Sequence, residues 1–188
     1  DAFDRPVIST LAYSSSVTEL VKLSYDRASR VVLQRSDSGS GPVDTAYEYD
    51  LLGRTKRIIR PDGTFHAYRY AAQSALVAVD HDPRGVVTNY TYTPRGQLYR
   101  TFTEVPSGLG FDRQMRSFDH DGLGRMKWAR DSGTSYADTS DDIVTYFQWD
   151  SLGNKIEEHD TNLGSALTIT HNYDGLGRRR SSKYGTTP

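Results

Sequence analysis

The chain contains no cysteine, which excludes disulfides, thiolate metal sites and a catalytic thiol. It has no stretch approaching the roughly 20 apolar residues that a membrane-spanning helix needs. No charged-then-apolar leader of signal-peptide type opens it at Asp1. An excess of one charge is missing too. The 23 Lys and Arg meet 24 Asp and Glu, for a net charge of −1. Without a long basic run, a phosphate-dominated grip on nucleic acid is not expected. Large apolar residues are scarce: Leu, Ile, Val and Phe total 38 of 188. A strongly charged chain with so few would stay unfolded, but balanced charge leaves collapse unopposed. No segment holds a 3.6-residue hydrophobic period between caps, so long amphipathic helices are not expected.

Strand and turn formers are plentiful: Ser and Thr total 37, Tyr 13 and Gly 16. They recur in a pattern. YDLLGR (Tyr49 to Arg54), WDSLGN (Trp149 to Asn154) and YDGLGR (Tyr173 to Arg178) are the clearest copies, and HDGLGR (His120 to Arg125) shares their frame. Weaker copies are YDRASR from Tyr25, YTPRGQ from Tyr92, DAFDR from Asp1 and YAAQSA from Tyr70. The slot held by Asp falls at positions 1, 26, 50, 71, 93, 121, 150 and 174, giving eight imperfect repeats about 25 residues apart.

Turn chemistry explains the recurrence. Asp at the first position of a type I turn accepts backbone N–H groups further on. Gly at the fourth takes the positive φ that closes a three-residue hairpin with a bulge. Asp50 with Gly53, Asp121 with Gly124, Asp150 with Gly153 and Asp174 with Gly177 fit this turn. Asp4 and Ser29 replace the Gly, and Gln97 and Asn154 the Arg, so other turn geometries are expected there. Flanking residues alternate as strands do: Ile143, Thr145, Phe147 and Trp149 share a face, as do Leu167, Ile169, His171 and Tyr173. Each period therefore reads as one hairpin of strands about 8–10 residues long. The polar stretches 36–45, 103–112 and 131–142 read as connections at the far ends of hairpins.

Y-D-x-x-G-R followed by a strand, repeated every twenty-odd residues, resembles the YD repeat of the Rhs family. That family includes bacterial polymorphic toxins, the B and C components of insecticidal Tc toxins and, more distantly, teneurins. The resemblance covers Asp1 to about Lys183 and implies an all-β fold of consecutive antiparallel hairpins in one extended, curved sheet, a strip of a hollow shell. It implies a single repeat region over residues 1–188 with no second domain. Its partners would be neighbouring repeats of the same or another chain and an enclosed toxin polypeptide. Its location would be secreted or at the cell surface, within a larger bacterial toxin protein. The first residue, Asp1, and the tail Gly185 to Pro188 agree with a piece of a longer chain. The family's plug and self-cleavage motif is not visible.

Candidate chemistry competes with turn and packing roles. His81-Asp82, His120-Asp121 and His159-Asp160 are 39 residues apart and carry metal-ligand types. Each precedes a turn-like Gly (Gly85, Gly124, Gly164), so a turn role is preferred and no metal site is expected. Asp119, Asp121 and Gly122 only faintly resemble a calcium loop, with Arg130 where a Glu ligand would stand. Asp138, Asp141 and Asp142 read as a solvated acidic loop. No hydrolase or phosphate-cradle motif is present, so neither catalytic residue nor cofactor is expected.

Arg54, Arg125 and Arg178 are expected to pair with a carboxylate on the next hairpin and lay their stems over a neighbouring ring. Arg178, Arg179 and Arg180 fit an exposed strand edge, where charge discourages unwanted pairing. Tyr25, Tyr47, Tyr49, Tyr68, Tyr70, Tyr90, Tyr92, Trp149 and Tyr173 precede turns. Cross-strand and inter-hairpin stacking is preferred for them. A sugar-binding platform, which the resemblance also brings in through cell-surface glycan contact, is the alternative. Asn89-Tyr90-Thr91 is a glycosylation sequon that matters only in a eukaryotic secretory setting.

Overall fold

The computed structural model describes residues 1–14, 17–37, 41–108, 113–133, 140–161 and 167–186. Every regular element among them is a β-strand. Two compact units divide the chain, Asp1–Val86 and Val87–Pro188.

The first unit holds β1 (Ile8–Ser14), β2 (Val17–Tyr25), β3 (Val31–Asp37), β4 (Pro42–Tyr49), β5 (Thr55–Ile59), β6 (Phe65–Tyr70) and β7 (Val77–His81). The second holds β8 (Val87–Tyr92), β9 (Leu98–Glu104), β10 (Gln114–His120), β11 (Met126–Asp131), β12 (Ile143–Trp149), β13 (Lys155–Thr161), β14 (Leu167–Tyr173) and β15 (Arg179–Thr186). Within each unit strand order is chain order and neighbouring strands pair antiparallel. The strands, 5 to 9 residues long, are shorter than the sequence pattern implied.

Register shifts fall where the motif predicts a bulge: between Glu48 and Tyr49, Gln148 and Trp149, and Asn172 and Tyr173. The extra residue tightens the local twist and turns the strand into its bend. Asp4 and Ser29 correct one expectation, because their turns keep the common geometry. Both non-glycine residues adopt positive φ, 57° and 63°. Their amides bond the carbonyls of Asp1 and Asp26 at 3.0 and 3.1 Å, as the amide of Gly53 bonds that of Asp50 at 3.0 Å. Short polar side chains tolerate this region.

Connections at the opposite hairpin ends are partly tighter than the polar composition suggested. In the stretch 36–45, Ser36 pairs Val43, Asp37 pairs Pro42, and Arg35 holds Asp44 at 2.6–2.7 Å. Arg60–Thr64 and Asp82–Val86 form further tight turns of the same type, with Gly63 and Gly85 at φ 82°.

Very little of this structure is core. Val79 is the one buried hydrophobic side chain among the described residues. Stability must come from somewhere other than a second packed layer.

Candidate functional site

The D-x-x-G-R turns share a geometry fixed by one carboxylate. In the turn Asp50–Arg54, Asp50 Oδ1 accepts the amides of Leu52 and Arg54, each at 2.9 Å, and Oδ2 accepts Arg54 Nε at 2.6 Å. Asp26, Asp121 and Asp174 do the same with Ala28 and Arg30, Leu123 and Arg125, and Leu176 and Arg178. At Asp150 the amide of Asn154 replaces the guanidinium, its Nδ2 donating to Oδ2 at 2.8 Å.

These contacts hold the carboxyls below the ordinary Asp pKa. For Asp26, Asp121 and Asp174 the leading cause is the backbone N–H four residues on, joined by the Arg side chain. For Asp150 it is the Asn154 side chain. Partial desolvation is the largest single influence on Asp50 and acts upward, but the bonds from Arg54 and Leu52 together outweigh it.

The clamped arginine then reaches forward. Arg30 Nη1 donates to the carbonyl of Asp50, the first residue of the next turn, at 3.4 Å, and its guanidinium lies 4.7 Å from the centroid of Tyr49. Tyr49 answers with its hydroxyl, which donates to the carbonyl of Val31 at 2.8 Å. The same exchange links Arg5 to Asp26 and Tyr25 to Pro6, with ring and cation 4.5 Å apart. Arg54 meets the carbonyl of Ser74 and covers Tyr70 at 4.3 Å, while the Tyr70 hydroxyl meets the carbonyl of Thr55. In the second unit Arg125 donates to Asp150 O at 2.9 Å and sits 5.7 Å from the Trp149 ring, whose indole N–H reaches Met126 O at 2.7 Å. Tyr173 bonds Lys155 O at 2.8 Å.

Each unit thus carries a spine in which every link ties one turn to its sequential neighbour. While the ring contact is met at Arg54 and Arg125, this corrects the carboxylate half of the expected role of arginine. Its carboxylate partner belongs to its own turn, and what it finds on the next hairpin is a ring face and a backbone carbonyl. The ring's partner is a guanidinium and a distant carbonyl. Tyr92 ends β8 immediately before Thr93, with its phenol pKa raised by burial, as is that of Tyr49. Gly53 lies where a Cβ would come within 3.5 Å of Arg30 Nη1.

Other candidates separate. Asp82 and Asp121 each cap their own turn. Asp160 accepts the Thr145 hydroxyl across the strand pair, which corrects its expected turn role. Gly164 and Asp138 lie outside the described residues. Asp142 is not solvated but buried, 7% exposed, against Arg130. One arrangement was not anticipated: His171 Nδ1 is 2.9 Å from Ser182 Oγ and its Nε2 is 3.7 Å from Glu158 Oε1. Lys155 holds the other oxygen of Glu158. Only 4% of the His171 side chain is exposed, and its one hydrogen bond among the described residues, to Ser182, ties β14 to β15.

Strands in chain order, bulged turns and a turn-to-turn spine define a sheet of consecutive antiparallel hairpins, the fold class that the sequence resemblance implies. No family model and no curated protein matches the chain. Solved structures do. It is similar to a chain of the Tc holotoxin pore of Photorhabdus luminescens, with 17% identity over 90% of this chain and a TM-score of 0.71. The crystal structure of TcdB2-TccC3-TEV matches at 16% identity over 92% of this chain and a TM-score of 0.73. That of TcdB2-TccC3 matches at 12% over 88%, with 0.63. This chain spans 9%, 9% and 12% of those chains. The fold is shared with Tc toxin chains.

Proposed function

We propose that this chain is a stretch of wall in a Rhs-type β-shell that encloses a toxin or effector polypeptide. The observation that carries this reading is the transfer of stabilising contacts from a core to the turn spine. A single layer held along its turns can extend hairpin by hairpin while both sheet faces stay free. A polar inner face then holds an unfolded cargo without fixing it in apolar contacts. The likeness to Tc toxin chains supports this role, as does the sequence resemblance. A secreted or cell-surface location within a larger toxin protein follows from the same reading. Among the described residues no helix is long and apolar enough to cross a membrane. Four of the rings that suggested a glycan platform, Tyr25, Tyr49, Tyr70 and Trp149, are engaged by guanidinium groups and carbonyls, so enclosure is the stronger reading.

The test is limited proteolysis of the complete gene product. A cargo segment that resists protease while the wall is intact, and becomes cleavable when Arg54→Ala and Arg125→Ala loosen it, is the expected result. Equal cleavage of every segment in the intact protein would overturn enclosure.

A further inference from the structure

At the end of the hairpins away from the spine, the turns Arg60–Thr64 and Asp82–Val86 are neighbours within the first unit. Their backbone bonds repeat those of the turn Asp50–Arg54: first amide to fifth carbonyl and fourth amide to first carbonyl, at 2.8–3.0 Å. Between them lies a groove of about 410 Å³ whose lining includes Asp62, Thr64, Phe65, His81, Asp82 and Pro83.

In the spine, the space between two such turns is filled by the fifth residue of the first. Arg30 there lies 4.7 Å from the ring of Tyr49, the residue before the next turn, and donates to the carbonyl of Asp50, that turn's first residue. The same three positions at the groove are Thr64, His81 and Asp82. Threonine is too short to cross, so the groove stays open. An aromatic ring and the first residue of a turn stand where the spine receives its cation.

The charge agrees. Asp62 accepts the amide and the hydroxyl of Thr64 at 2.9 and 2.7 Å, both on Oδ1, and its Oδ2 has no hydrogen bond or ion pair among the described residues. The Thr64 hydroxyl is the leading cause that holds this carboxyl below the ordinary Asp pKa, so it is ionised at neutral pH. Asp82 is matched within its own turn by Arg84, whose Nε is 2.8 Å away and whose side chain is 74% exposed. The Phe65 wall already suits a guanidinium, since that of Arg57 lies 4.2 Å from its ring centroid.

We infer that this groove binds the guanidinium of an arginine carried on a partner polypeptide, laid over the His81 ring and donating to Asp62 Oδ2 and to the carbonyl of Asp82. Free arginine is a poorer ligand, because its own carboxylate would enter beside Asp62 and Asp82. Lysine brings the charge but lacks the planar fork that reaches both acceptors at once. The groove does not depend on what the wall encloses, so failure of either idea leaves the other standing.

The probe is the capped peptide acetyl-Gly-Arg-Gly-amide, titrated into the intact chain labelled for NMR. Saturable shifts are expected at the amides of Asp62 to Phe65 and of His81, Asp82 and Arg84. The same peptide with citrulline, which keeps the shape and loses the charge, should bind about tenfold or more weakly. Asp62→Asn keeps the Oδ1 acceptor for Thr64 and should weaken the arginine peptide similarly. Thr64→Arg should fill the groove from within, as Arg30 fills its own space, and abolish peptide binding. An unchanged circular dichroism spectrum will show that both variants remain folded. The proposal is overturned by absence of shifts at millimolar peptide, by equal affinity for the citrulline peptide, or by affinity indifferent to Asp62→Asn. Calcium chloride that shifts these amides where the arginine peptide does not would overturn it too, as a simple cation site.

Discussion

The guanidinium of Arg54 lies 4.3 Å from the centroid of the ring of Tyr70, sixteen residues later at the end of β6, while its Nε edge is held by Asp50. The contact joins local turn chemistry to packing between hairpins. It makes the arginine the single side chain on which both depend.

Replacing Arg54 with Ala should lower stability by about 1–2 kcal/mol, the combined scale of a cation–π contact and a charge-assisted hydrogen bond. Arg54→Lys should recover only part of this. Urea unfolding of the two variants checks the order, and equal loss in both would point to charge alone.

Tyr70→Phe keeps the ring over Arg54 and removes only the hydroxyl that donates to Thr55 O at 2.7 Å. A loss of about 1 kcal/mol is expected. Tyr70→Ala should cost clearly more, because it removes the ring as well.

Gly53 and Gly153 have similar φ, 82° and 87°, but different surroundings. A Cβ at Gly53 meets Arg30, whereas one at Gly153 meets nothing within 4 Å. Valine at either position should cost about 1 kcal/mol or more through backbone strain. The Gly53 variant should be the worse of the two. Asn, which tolerates positive φ, should be nearly neutral at Gly153. Melting temperatures in which the two Val variants are indistinguishable would count against the spine contact.

The depressed carboxyls predict an acid-labile structure. A group whose folded pKa lies below its unfolded one contributes stability that is present above the unfolded value, about 3.9 for Asp. That contribution is lost as pH falls through the lower folded value. Asp26, Asp50, Asp121, Asp150 and Asp174 all act in this sense. Thermal stability should therefore hold from neutrality to about pH 4 and fall steeply below it. Asp50→Asn should start lower and lose less over that acid range.

The turns at Asp50, Asp121, Asp150 and Asp174 were legible in the sequence because their chemistry is local. One carboxylate, one glycine and their spacing decide them. Asp82–Val86 was legible from Asp82 and Gly85, whereas Arg60–Thr64 was not, since it opens with Arg in place of Asp and no aromatic residue precedes it. The forward reach of Arg54 over a neighbouring ring was legible, but not that its carboxylate would be its own Asp50 and its polar partner on the next hairpin a backbone carbonyl. The sequence puts each arginine beside an aspartate four residues back and a tyrosine about twenty residues on, and only the sheet register shows that both are met at once. Asp142 was misread for a similar reason: its partner Arg130 lies across a connection of eleven residues.

Because each link of the spine joins a turn to its immediate neighbour, no link of the spine among the described residues spans three hairpins within either unit. Pulled from one end, such a sheet should peel in discrete steps of one hairpin each, like stitches slipping in sequence. A tear at one turn would leave the turns beyond its neighbours still fastened.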